Sequence, residues 1–182
     1  LKNGLDAIIS NTSGCGTTLK DYGFIFRSDE DLKKKAKKIS ELTKDISEYL
    51  NENVKLNFIK SKESKEYKIA YHSACSMQHG QKIHNVPINL IKKTGNKVFD
   101  IPDGHICCGS AGTYNLLQNN IAKKLLENKI SNIKKIKPQI IATGNIGCIT
   151  QIANGTKIPI LHTVEIIDWY TGGPKPEILR FL

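Results

Sequence analysis

The chain has 182 residues, of which 39% are hydrophobic and 24% charged, the composition of a soluble globular protein with room for one or two cores. No apolar run approaches the roughly 20 residues that cross a bilayer as a helix, and no secretory signal opens the sequence. The formal charge is +10, yet only Arg27 and Arg180 among the 27 basic residues are arginine, which argues against a nucleic-acid partner, because base and phosphate recognition leans on bidentate arginine.

The sequence begins at Leu1, and LDAIIS (5–10) reads at once as a short buried strand. The expectation is a piece that starts inside a longer protein. A turn follows over 11–16, then a capping signature at Ser28-Asp29-Glu30-Asp31. Leu32, Ala36, Ile39, Leu42, Ile46 and Tyr49 recur at helical spacing and predict one amphipathic helix to about Leu50. KSKESKE (60–66) has no apolar residue and reads as an exposed linker, dividing 1–59 from 67–182.

Beyond it, strands and helices alternate. Strands are expected over 67–72, 97–101, 139–143 and 158–161. Helices are expected over 77–94, from about Ala111 to Ile136 with a break near Asn119, after the turn 144–148, and over 164–170. This alternation predicts an α/β fold around a mainly parallel sheet. IISNTSGC (8–15) also echoes IATGNIGC (141–148), which predicts two copies of one strand–turn–helix unit. The lysines at 33–38, 123–124 and 134–137 fall on faces opposite the apolar ones and read as solvated surface, with an acidic partner or anionic membrane as the alternative.

Five cysteines without a secretory signal do not make a disulfide scaffold. Four of them follow predicted strands: Cys75, the adjacent Cys107 and Cys108, and Cys148. Turns at the carboxyl ends of parallel strands gather along one sheet edge. Backbone N–H groups at helix starts there lower thiol pKa values and favour thiolates. Gly109, Ser110, Ala111 and Gly112 allow a tight loop with N–H groups aimed at sulfur. Four sulfurs suit zinc or an iron–sulfur cluster. No pair of C-x₂–₄-C knuckles is present, and a vicinal pair suits a multi-iron group, so zinc is the alternative; metal-free buried cysteines are the plainer reading. His72 and His105 flank cysteine turns as outer-shell candidates. His79, four residues after Cys75, is a weaker ligand candidate, and His84 and His162 read as surface or packing residues.

CSMQHGQ (75–81), CCGSAGTYNLLQ (107–118) and NIGCI (145–149) resemble the CCG cysteine-rich domain of heterodisulfide reductases and of iron–sulfur subunits of 2-hydroxy-acid and glycerol-3-phosphate dehydrogenases. The wording is most similar to the glycolate oxidase branch. SGCG with KDYG (13–16, 20–23) resembles the end of a first CCG repeat, so 1–59 reads as a partial first repeat and 67–182 as the second.

Several expectations follow from the resemblance. Cys75, Cys107, Cys108 and Cys148 are metal ligands, and Gly109, Ser110, Gly112 and Asn145 line the cofactor. The cofactor is an iron–sulfur cluster, 4Fe-4S in type, with FAD on a partner subunit. The chain is then a non-catalytic electron-transfer subunit of a complex that oxidises glycolate to glyoxylate. It works with flavoprotein subunits and a membrane quinone, at the cytoplasmic face of the cell membrane. Asn145 and Thr12 stand where the full motif has the first cysteine of C-x-x-C, which weakens a five-cysteine cluster and a thiol-reductase role. Cys15, lacking upstream partners, is expected to be a bystander.

Overall fold

The computed structural model describes residues 4–59 and 66–180. Most of the expected linker, 60–65, lies outside the described residues.

In chain order the elements are β1 (Ile8–Ser10), α1 (Ser13–Lys20), α2 (Tyr22–Ile25), α3 (Lys33–Leu42), β2 (Thr43–Asp45) and α4 (Ile46–Asn53). Then come β3 (Lys68–Tyr71), a π-helical turn (Ser76–Gly80), α5 (Val86–Lys93), β4 (Lys97–Asp100), α6 (Tyr114–Leu117) and α7 (Asn119–Ile136). The chain continues through β5 (Ile140–Thr143), α8 (Ile146–Ala153), β6 (Ile160–His162), α9 (Thr163–Tyr170) and a 3₁₀ turn (Glu177–Leu179). All strand pairs are parallel.

The larger sheet has the order β4-β3-β5-β6, and β1 and β2 form a separate pair. Successive strand residues face opposite sides, and both sides are covered. Ile69, Tyr71, Ile140, Ala142 and Leu161 pack against Ile88 and Ile91 of α5 and Ile166 and Tyr170 of α9. Ala70, Ile141 and Ile160 pack against Ile130 and Ile133 of α7 and Ile152 of α8. Each fully buried aliphatic side chain contributes about 1.5–3 kcal/mol, which is why the short apolar runs 69–71 and 140–142 form the sheet centre. Strand order reverses at β3, which has β4 on one side and β5 on the other. The crevice above the carboxyl ends of β3 and β5 is therefore the place where such sheets bind ligands.

Two predicted helices are interrupted. The helix expected to Leu50 stops at Leu42, gives way to β2, and restarts as α4. Asp45 accepts from the Ser47 N–H, while Glu48 accepts from the Asp45 N–H, a capping box that starts a new helix. Helical spacing continued across the break, so periodicity alone did not reveal it. The helix expected over 77–94 is instead a π turn, a loop with Lys82 at φ 62°, and α5. Pro87 lacks an N–H and belongs in a first helical turn. The break near Asn119 is present, with Gln118 at φ −125°, ψ 52° between α6 and α7.

The echo between 8–15 and 141–148 has a structural counterpart. Thr12 (φ −127°, ψ 114°) and Asn145 (φ −147°, ψ 120°) are both extended residues before a helix. Cys15 and Cys148 are each the third helical residue. The correspondence extends to the partner strands: Ser10 pairs with Asp45, and Thr143 with His162. Asp45 and His162 each start a helix with a capping box closed by Glu48 and Glu165. His162, expected to be an ordinary surface or packing residue, is thus the N-cap of α9, and its Nε2 also lies 2.7 Å from the Asn11 carbonyl oxygen.

Candidate metal centre

Three loops at the carboxyl ends of β3, β4 and β5 bring their cysteines to one place. Cys75 follows β3, Cys107 and Cys108 lie in the loop between β4 and α6, and Cys148 sits in the first turn of α8. All four line a cavity of about 190 Å³ with His72, Gly14, Ser76, Ser110, Ala111, Gly112 and Asn145. Cys108 and Cys148 are buried, Cys107 is half-buried, and Cys75 is exposed at the rim.

The four thiols are electrostatically coupled in a chain, Cys75 and Cys108 each to Cys107, and Cys108 also to Cys148. Their ionisation alternates accordingly. Hydrogen bonds from Cys108 and Cys75 hold the Cys107 thiol far below the usual thiol range, assisted by the Gly109 N–H, which donates to its sulfur at 3.3 Å. Hydrogen bonding by Cys108, then His72, lowers Cys148 to about 5 against the opposing effect of burial. Cys108 is pushed up by its bonds to Cys107 and Cys148 and by burial, and Cys75 by its bond to Cys107 and then by burial. Four adjacent thiolates repel one another, and a multivalent cation is what lets all four ionise together.

The loop after Cys108 is shaped by backbone that side chains resist. Gly109 has φ 94°, and a Cβ there would meet the Ala122 carbonyl oxygen at 2.4 Å, so the turn lies flat on α7. Ala111 at φ 41° and Gly112 at φ 61° continue the left-handed course over the cavity. Asn145 works in two directions. Its Oδ1 accepts from the Cys148 N–H at 3.1 Å, and its Nδ2 donates to Ser13 Oγ at 2.9 Å.

His72 is the histidine that matters here. It is 1% exposed, lines the cavity, and both ring nitrogens lack an oxygen or nitrogen partner. One of those nitrogens and the sulfurs of Cys108 and Cys148 lie within 4.8 Å of one another. A buried imidazole costs free energy unless it gains a partner, and facing sulfur donors it has one only in the site itself. The donors thus fit a thiophilic metal or an iron–sulfur group in their chemistry and clustering.

The other histidines stand apart. His79 is exposed and its Nε2 lies 3.5 Å from the His105 carbonyl oxygen; the His105 side chain is exposed as well. Cys15 is exposed and does not line the cavity, although the adjacent Gly14 does. Sequence reasoning missed how α1 reaches the site: Ser13 Oγ lies 2.7 Å from Ser76 Oγ, and the Ser13 N–H donates to the Gly144 carbonyl. The echo between the two Gly-Cys turns was the available signal.

Residues 69–153, which hold all four clustered cysteines, match the CCG cysteine-rich domain family. The chain is similar to that family over just under half of its length. It is 36% identical over 168 residues to the glycolate oxidase iron–sulfur subunit of Escherichia coli (strain K12), covering 92% of this chain and 40% of that protein. It is 29% identical to the probable glycolate oxidase iron–sulfur subunit of Bacillus subtilis (strain 168), over 90% of this chain and 38% of that protein. Lactate utilization protein A of Geobacillus sp. (strain WCH70) is 23% identical, over 90% of this chain and 70% of that protein. The chain thus spans about two fifths of the two glycolate oxidase subunits. Among the described residues, no helix is long and apolar enough to cross a membrane.

Proposed function

We propose that this chain is part of an electron-transfer iron–sulfur subunit, with Cys75, Cys107, Cys108 and Cys148 as the metal ligands. The supporting observation is the convergence of these four sulfurs and the buried His72, whose ring nitrogens have no oxygen or nitrogen partner, on one cavity above the β3–β5 crevice. An iron–sulfur cluster, 4Fe-4S in this reading, supplies a one-electron carrier when bound. The chain's own groups hold and shield it. Gly109, Ser110 and Gly112 bring the loop close, Asn145 orients the turn that bears Cys148, and the Gly109 N–H bonds a ligand sulfur.

By likeness to the glycolate oxidase subunits, the parent complex oxidises glycolate to glyoxylate. FAD on a partner flavoprotein takes the electron pair, and this subunit conveys the electrons singly to a membrane quinone at the cytoplasmic face. The two segments 1–59 and 67–182 are read as a partial first and a second CCG repeat, joined through 60–66.

The test uses the full-length subunit purified without oxygen. Iron and acid-labile sulfide in comparable amounts, with a visible absorption that dithionite bleaches, are expected. Zinc with no colour would replace this reading by a structural metal site. In the assembled complex, Cys108→Ser is expected to stop electron delivery to quinone and to leave flavin reduction by glycolate nearly intact. Loss of flavin reduction in an intact complex would overturn the relay role.

A further inference from the structure

The three segments that build the site carry almost no formal charge. Residues 69–81, 104–122 and 138–156 contain no aspartate, glutamate, lysine or arginine, in a chain with 24% charged residues. Four thiolates gathered there have no neutralising partner within their own loops. One cation lies behind them. Lys129 is 1% exposed, the only buried lysine among the described residues. It lies seven residues after Ala122, on the same face of α7, and Ala122 is the residue on which the Gly109 turn rests. Its immediate neighbour Ile130 packs in the same core cluster as Cys108 and Cys148.

The ammonium is aimed at the cysteine loop. Lys129 Nζ donates to the Asp103 carbonyl oxygen at 3.2 Å, four residues before Cys107. Asp103 itself holds a left-handed φ of 52°, and its carboxylate is tied to Asn132 Nδ2 at 3.1 Å. Among the described residues no carboxylate forms an ion pair with Lys129. Burial lowers its pKa, and the opposing influences come first from Cys108, then from Cys107, Asp103 and Cys148, so the sulfurs lie within its electrostatic reach. Snorkelling to water is the ordinary fate of a helix lysine, and a buried ammonium without a counter-charge is costly. Besides the Asp103 carboxylate, the negative charge within its reach is that of the sulfur site.

We propose that Lys129 is a charge-balancing residue of the sulfur site, its buried ammonium offsetting the ligand thiolates and raising the reduction potential of the group they hold. The redox half of this proposal rests on the iron–sulfur reading above; the charge half applies to any cation bound by these thiolates. A fixed positive charge favours the more negative, reduced state, so its removal lowers the potential. Lys129 touches no lining residue of the cavity by hydrogen bond and acts through its field, as a positioning and tuning group.

The experiment compares wild type, Lys129→Met and Lys129→Arg in the full-length subunit, by dithionite titration followed by EPR and by cobalt(II) binding to metal-free protein. Lys129→Met keeps the volume and apolar stem while deleting the charge. The expected result is at least a tenfold shift of the one-electron equilibrium toward the oxidised form, 59 mV for a one-electron couple. Cobalt(II) affinity is expected to fall about tenfold, and Lys129→Arg is expected to recover most of both. Should Lys129→Met take up no iron, recovery of loading by Lys129→Arg supports the charge role. Failure of both variants to load, with native circular dichroism, overturns it in favour of a packing role. A fully loaded Lys129→Met with unchanged potential and unchanged cobalt(II) affinity also overturns it. If wild type binds cobalt(II) but no iron and sulfide, the iron–sulfur reading fails while the cobalt comparison still decides the charge role. If wild type binds neither, both fall together.

Discussion

The turn that carries Cys15 and the turn that carries Cys148 are built alike and end differently. Each follows a parallel strand, enters its helix through an extended residue, and presents cysteine at the third helical position. Yet Cys148 is 5% exposed and lines the cavity with Cys108, while Cys15 faces solvent. Local geometry is therefore not what brings a cysteine into the cavity. The second turn adjoins β3 in a four-stranded sheet, so the loops bearing Cys75 and Cys107–Cys108 close over it. The first belongs to a two-stranded pair, and the π turn after Cys75 that packs on α1 through Ser76 and Gln81 leaves Cys15 exposed. The caps differ in the same sense. Asn145 accepts from the Cys148 N–H, whereas Thr12 makes no side-chain cap bond.

Exchanging matched residues between the two turns tests this contrast. Cys148→Ser removes a buried thiol that shares the cavity with three others, and Cys15→Ser removes an exposed one. Iron per chain in the anaerobically purified full-length subunit is expected to fall at least several-fold in Cys148→Ser and to stay at the wild-type level in Cys15→Ser. Equal losses would mean that Cys15 belongs to a metal site after all.

A smaller effect separates the caps. Asn145→Ala deletes the bond to the Cys148 N–H and the bond to Ser13, and is expected to cost about 1–2 kcal/mol. Thr12→Ala loses no cap bond and is expected to stay within about 0.5 kcal/mol of wild type. Denaturant unfolding of the full-length protein, with both variants under one set of conditions, reads the difference. Comparable costs would place the structural weight on backbone conformation and not on the Asn145 amide.

The smallest contrast lies at the paired glycines. A Cβ on Gly14 would meet Asn145 Nδ2 at 3.7 Å, an ordinary contact, and α1 would gain from a better helix former. Gly14→Ala is therefore expected to be neutral or to stabilise by up to about 1 kcal/mol. At Gly147 the Cβ would lie 2.9 Å from Ser110 Oγ and 3.1 Å from Asn145 Oδ1, so the same change pushes on the cysteine loop. Its thermal midpoint is expected below that of Gly14→Ala. The reverse order would show that the loop over the cavity yields easily.

The legibility of the molecule follows from the range of the forces involved. Strands over 68–71, 140–143 and 160–162 were readable because apolar runs bounded by turns have few other fates. The break at Thr43–Asp45 was not, because Leu42 and Ile46 keep helical spacing across it. Pairing of β1 with β2 is a tertiary event that overrode that periodicity. The Asp45–Glu48 box was the one local hint of it. At the site, the cysteine-bearing turns were readable from chain order alone, as strand ends in a parallel sheet. His72 was readable only as a neighbour of a cysteine turn, since nothing local distinguishes it from His105.

The amino-acid sequence by itself determined the alternation of strands and helices, the four cysteines at strand ends, and the glycine loop after Cys108. Each of these follows from backbone preference or residue chemistry acting over a few positions. Only the tertiary structure decided which sulfurs meet, that His72 turns inward while His79 and His105 turn out, and that one lysine of α7 lies buried. Those outcomes depend on strand order. With β3 between β4 and β5, three loops distant in sequence share one crevice, and the α7 face that supports them carries Lys129 beneath.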